Sequence, residues 1–146
     1  MVLYLYALAA VIAGIGIMAV YRQTLDALID KPDQIMQIQT RFFTRIAMVE
    51  FIPLVLLVAG FAFGQGQEVP QIHIIISTVV VIIILCYNLF FTFSQRAQMR
   101  DYAQRTPIGK ENERVTAAIN VLSMITLAFS VSIPLIAIIF IFLTLS

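Results

Sequence analysis

The amino-acid sequence predicts an all-α membrane protein with four transmembrane helices, arranged as two tandem helical hairpins with both termini outside. Three observations predict it. The first is composition: of 146 residues 61% are apolar and 12% charged, and the mean hydropathy is +0.98. A soluble domain carries about 25% charged residues, enough to cover a wetted surface. The second is the presence of four long apolar runs. The third is the placement of the basic residues, all nine of which flank two of the polar stretches.

The runs are Val2–Tyr21, Phe42–Gly64, Ile72–Phe93 and Val115–Leu145. Each meets the ~20 residues that a helix needs to cross ~30 Å of hydrocarbon. A helix satisfies its own backbone there, which an open strand does not. The first run has its first basic residue, Arg22, after the apolar stretch rather than before it, so it reads as a span and not as a signal peptide. Tyr4, Tyr6 and Tyr21 lie near its ends, where amphipathic rings favour the membrane interface. Its Ala9, Ala10, Ala13, Gly14, Gly16 and Ala19 recur at spacings of three and four, and small residues in such rows let membrane helices approach closely.

Polar stretches at Arg22–Arg41 and Ser94–Arg114 join the helices within each hairpin, and a Gly/Gln link over residues 65–71 joins the hairpins. This gives a first hairpin over residues 1–64 and a second over 72–146. Arg22, Lys31, Arg41 and Arg45 flank the first polar stretch, and Arg96, Arg100, Arg105, Lys110 and Arg114 the second. The excess of Lys and Arg on cytoplasmic loops places both long loops in the cytoplasm. The expected location is a bacterial-type inner membrane or an organellar inner membrane, with the lipid bilayer as solvent.

A net charge of +1 gives no general attraction to nucleic acid, which is not an expected partner. The single Cys86 lies in an apolar run and excludes an intrachain disulfide framework and a Cys-cluster metal site. No nucleophile–base pair, phosphate loop or metal cluster is visible, so catalytic residues and cofactors are expected to be none. Asn88, Asn120, Ser123, Thr126, Ser130 and Ser132 read as interhelical hydrogen-bonding residues. His73 reads as a solvated interfacial residue, Cys86 and Tyr87 as packing residues, and Gly64, Gln65 and Gly66 as a tight turn.

Seven of the eight acidic residues lie in the polar stretches or the link. The eighth, Glu50, lies inside the second run. A carboxylate at mid-span costs on the order of 3 kcal/mol on insertion scales, and such residues usually mark ion or proton pathways. Low dielectric favours the neutral acid, and contact with water or an Arg favours the anion. A group that switches between those forms carries a proton. The structural alternative is an ion pair with Arg45, five residues back, which is off the three- and four-residue spacing of helical neighbours. Pro53 cannot donate to the carbonyl of Val49, leaving an acceptor beside Glu50. The same proline is equally well read as a packing kink.

A Gly/Ala-rich first helix, a polar loop with Asp30-Lys31-Pro32 and the segment Ala47-Met48-Val49-Glu50-Phe51-Ile52-Pro53 together resemble subunit c, the rotor proteolipid of F-type ATP synthases. Eighteen residues separate Pro32 from Glu50, and a proline follows three residues beyond the carboxylate, as in many members of that family. The resemblance covers about residues 7 to 64. The loop departs from the family's Arg-Gln-Pro type, and Met18 stands where a further glycine is usual. Two hairpins with one carboxylate between them resemble the V-type proteolipids. Aligning Pro134 with Pro53 sets Val131 opposite Glu50, and the third run carries bulky Val and Ile in place of glycine.

The resemblance implies a rotor-ring subunit of a proton-translocating ATP synthase or ATPase, not an enzyme by itself. Glu50 would bind the proton and face outward, with Gly14, Gly16, Ile17, Val49 and Pro53 supporting the site. Asp30, Lys31 and Pro32 would face the central stalk. The implied partners are a homo-oligomeric ring, stator subunit a and the central-stalk subunits. Family members that carry Na+ supply a Gln on the first helix and a Ser or Thr after the carboxylate. Those positions are Ile17 and Phe51 here, so H+ is expected and Na+ is not. The alternative from the residues alone is a small four-helix membrane transporter, or an accessory or scaffold subunit of a larger membrane complex.

Overall fold

The structure is a computed structural model that describes residues 1–66, 68–105 and 109–145. Its elements are α1 (Val2–Asp30), a short 3-10 turn (Pro32–Gln34), α2 (Ile35–Gly64), α3 (Gln71–Arg105) and α4 (Gly109–Leu145). No strand occurs among the described residues. All four helices contain stretches long and apolar enough to cross a membrane, so this is a multi-pass membrane protein. Gln67 of the link, residues 106–108 of the second polar stretch, and the side chains of Lys110 and Glu111 lie outside the described residues.

The polar stretches correct the sequence reading. Most of Arg22–Arg41 continues α1 and α2 as helix, and α3 runs on to Arg105. The residues themselves explain this, because Gln, Arg, Leu, Ala and Met are good helix formers and the helix pays its nucleation cost inside the membrane. At 1.5 Å per residue α3 is about 50 Å long, well beyond ~30 Å of hydrocarbon. The spans therefore project from the membrane at the end that carries the α1–α2 connection, called here the loop end. Pro32 stops α1, since the residue before a proline avoids helical geometry; Lys31 has φ −135° and ψ 70°. At the opposite end Gly66 takes φ +80°, a left-handed conformation that glycine adopts without strain, and turns the chain out of α2.

α1 packs against each of the other three helices, α4 also meets α2 and α3, and α2 and α3 do not touch among the described residues. The helices thus form two rows, α1 beside α3 and α2 beside α4, with α1 and α4 on the short diagonal. α1 earns the central place through its small residues: Ala9, Ala10 and Ala13 are almost fully buried. Lipid supplies no hydrophobic drive for helix association, so close van der Waals packing and hydrogen bonds hold such a bundle together.

Tyr6 and Tyr21 differ from the expectation that they line the interface. Both are fully buried. The Tyr6 hydroxyl lies 3.2 Å from Thr144 Oγ1 and the Tyr21 hydroxyl 2.6 Å from Ser123 Oγ, tying α1 to α4 at both ends. Tyr4 remains exposed, and its hydroxyl is 2.6 Å from His73 Nδ1, so His73 is a tether between α1 and α3 rather than a free solvated ring. Tyr21→Phe should lower stability in detergent by about 0.6 kcal/mol and by no more than about 1.7 kcal/mol, the mean and the maximum measured for interhelical hydrogen bonds in membranes. Adding Ser123→Ala should cost only the loss of the bond that the Ser123 hydroxyl donates to the Ile119 carbonyl of its own helix, because the interhelical bond is already gone. Additive losses in that double-mutant cycle would show that the pair is not coupled.

Candidate functional site

The packed face of α2 runs through Ile38, Phe42, Ile46, Pro53, Leu57, Gly60 and Gly64. Glu50 stands four residues after Ile46 and three before Pro53, which puts it in that row. The lipid-facing side of the same turn carries Phe51, Ile52 and Val55, each more than half exposed. The expected outward-facing carboxylate is therefore half-buried in the single chain. Phe61, also on this flank, stacks on Phe140 of α4 with ring centroids 5.0 Å apart, so the Glu50 side of α2 is the side turned toward α4.

One carboxyl oxygen of Glu50, Oε1, is buried and has no hydrogen-bond partner. Arg45 does not pair with it. The Arg45 guanidinium donates instead to Gln23 Oε1 at 3.2 Å, across to α1 and away from the carboxylate. The ion-pair alternative thus fails on geometry, in the direction that the five-residue spacing indicates. An unpaired polar oxygen inside an apolar bundle is costly, and the neutral acid costs less than the anion.

The supporting residues divide. Gly16 lies against Val49, so close that a Cβ on Gly16 would overlap Val49 Cγ1. This contact seats the turn of α2 that carries Glu50 directly on the backbone of α1. Pro53 is buried in the packed row, and its missing N–H leaves the Val49 carbonyl free one turn below. Ile17 is fully buried core. Gly14 belongs elsewhere: it faces α3, where a Cβ would lie 2.8 Å from Ile84 Cγ2 and 2.9 Å from Asn88 Nδ2. Asp30, Lys31 and Pro32 form the turn at the loop end, with Asp30 and Lys31 exposed. Among the described residues no group of His, Cys, Asp and Glu is placed to hold a metal ion.

The second hairpin carries a feature that reading its residues singly does not reveal. The bulky residues of α3, among them Ile75, Ile76, Val79, Ile82 and Ile83, point outward, as do Tyr87 and Cys86. Its inward row is Ser77, Val81, Asn88 and Thr92, all fully buried. Most Val and Ile of this helix therefore stay out of the α1–α3 interface; the exceptions are Val81 in the inward row and Ile84, which fits against Gly14 of α1. On α4, Ser123, Thr126 and Ser130 are buried, and Asn120 accepts a bond from Arg96 Nε at 3.2 Å. Of the six polar residues expected to bond between helices, Ser123 and Asn120 do so. Thr126, Ser130 and Ser132 bond carbonyls of their own helix, at Leu122, Leu127 and Phe129. The three- and four-residue spacing of the α4 hydroxyls was a usable signal for an inward polar face.

No family model, curated protein or solved structure matches the chain.

Proposed function

We propose that the chain is a rotor-ring, c-type proteolipid subunit of a proton-translocating ATP synthase or ATPase, and that it carries H+ across the membrane on Glu50. The observation that carries this reading is the unpartnered carboxyl at mid-span, set in a hairpin whose helices meet at Gly16 and Val49. The two-row order of the helices supports it, because side-by-side copies extend both rows into concentric layers, α1 and α3 in one and α2 and α4 in the other.

In this reading the protonated Glu50 stays folded into the packed row of α2 while it travels past lipid. Ionisation follows when the side chain swings out to water or to an arginine of a stator subunit, where the anion is favoured. Each unit charge that crosses 100 mV is worth ~2.3 kcal/mol. One carboxylate per four helices halves the protons moved per turn relative to a ring of the same helix count with one per hairpin, which suits pumping driven by hydrolysis. H+ rather than Na+ is supported by the resemblance: the two positions at which Na+-carrying proteolipids supply oxygens are Ile17 and Phe51 here, neither of which offers an oxygen ligand, whereas Na+ requires several. The polar seam of the second hairpin favours a second reading, a small four-helix transporter in which Glu50 couples to a substrate path.

Projection images of the assembly purified in mild detergent separate the two readings. A ring of many copies is the expected result, and a monomer or dimer would overturn the rotor reading. A hydrophobic carbodiimide should modify Glu50 in the same preparation, with no protection by Na+. Sodium-dependent protection would instead make Na+ the carried ion.

A further inference from the structure

We propose that the core between α1, α3 and α4 holds a water-binding site within the membrane span, on its loop-end side, with the Asn88 carboxamide as its principal ligand. Asn88 has a relative exposure of 0%, and both its amide oxygen and its amide nitrogen lack a protein partner. A carboxamide brings two donors and an acceptor, and leaving them unpaired in an apolar interior costs several kcal/mol. Its ligand must therefore be small, uncharged and able both to give and to accept hydrogen bonds. A cation alone fails this test, because it would engage only Oδ1 and leave the amide N–H donors unpaired. Water meets it.

The neighbouring groups suit the same ligand. Thr92, one turn from Asn88, is fully buried; its hydroxyl bonds the Asn88 carbonyl at 2.8 Å and lies 3.6 Å from Met18 Sδ on α1. Gly14 offers bare backbone to the amide. On α4, Pro134 has no N–H for the carbonyl of Ser130, so that carbonyl is a free acceptor. The Tyr6–Thr144 and Tyr21–Ser123 bonds fix the antiparallel register of α1 and α4 and bring Ser130 to about the level of Gly16. From the loop end inward, Asn120, Ser123, Thr126 and Ser130 mark successive turns of α4 with polar groups. The Arg96–Asn120 bond lies at the mouth of this seam. Gly16 packs on Val49, the neighbour of Glu50, so the seam ends at the depth of the buried carboxyl. The second hairpin thus brings water to the layer in which the first holds its acid.

Hydroxyl-radical labelling by water radiolysis, read residue by residue by mass spectrometry on the full chain in lipid vesicles, tests this. Radicals form from water next to the side chain they modify, and methionine is a sensitive target. Met18 is 4% exposed, whereas Met48 and Met124 are 67% and 62% exposed on the outer faces of α2 and α4 and serve as lipid-side controls. Met18 should be labelled several-fold faster than either control, and Asn88→Leu should bring it down to their rate. Thr92→Val, nearly isosteric, should reduce it as well and serves where Asn88→Leu does not fold. Wild-type labelling of Met18 no faster than of Met48 and Met124 overturns the site, as does unchanged labelling in both variants. Glu50→Gln should leave Met18 labelling intact, so the outcome does not depend on whether Glu50 carries a proton.

Discussion

Glu50→Gln is expected to abolish proton movement by the assembly and to remove carbodiimide modification of the chain altogether. The amide occupies nearly the same volume and bonds much as the neutral acid does, so folding and assembly should survive while ionisation is lost. The test is proton flux in reconstituted vesicles beside an intact assembly in detergent. Glu50→Asp should retain a measurable fraction of the flux, because it keeps the titrating group and shortens its reach by one methylene. Undiminished flux in the Gln variant, with the assembly intact, would falsify the proton-carrier reading whatever the number of copies. Loss of assembly together with flux would mean that the carboxyl serves structure first, and the Asp variant separates the two.

The second large effect is expected at Gly16. The Cβ of any other residue there would overlap Val49 Cγ1, and valine has little rotamer freedom on a helix with which to move aside. Gly16→Val should push α2 away from α1 and cost about 1–3 kcal/mol, the usual penalty of overpacking. The displaced turn also carries Glu50, so its rate of carbodiimide modification should rise as the buried oxygen opens. Adding Val49→Ala removes the opposing methyl groups and should restore most of both properties. A Gly16→Val variant as stable as the wild type, with no change in Glu50 reactivity, would show that the close approach at this point does not seat the carboxylate.

Glu50 illustrates what was legible in the sequence and what was not. Its presence inside an apolar run, its distance from Pro32 and the poor spacing to Arg45 are all visible as text. Its orientation is not. Row membership depends on which face of α2 packs against α1 and α4, and a helix that is apolar all round leaves that choice to its neighbours. The polar residues of the second hairpin make the same point. Their identities suggest interhelical bonds in general, yet Ser123 finds Tyr21 across the interface while Thr126 and Ser130 turn back to their own helix. Asn88 finds no partner at all. An aromatic near the end of an apolar run suits the interface equally well; the burial of Tyr6 and Tyr21 follows from what faces them, the hydroxyls of Thr144 and Ser123 and, for the Tyr6 ring, Gly60 and Phe140.

The sequence by itself determined that this is a four-helix membrane protein with one acid at mid-span, because in hydrocarbon the backbone must satisfy itself and a lone charge stands out against apolar neighbours. It also determined the turn at Lys31, through the steric demand of Pro32. The tertiary structure decided that α1 occupies the centre, that the polar stretches continue as helix, that Glu50 lies in the packed row and that Asn88 faces Gly14. These outcomes depend on which small residue meets which large one across an interface. Composition and periodicity record one helix at a time and hold no information on that pairing.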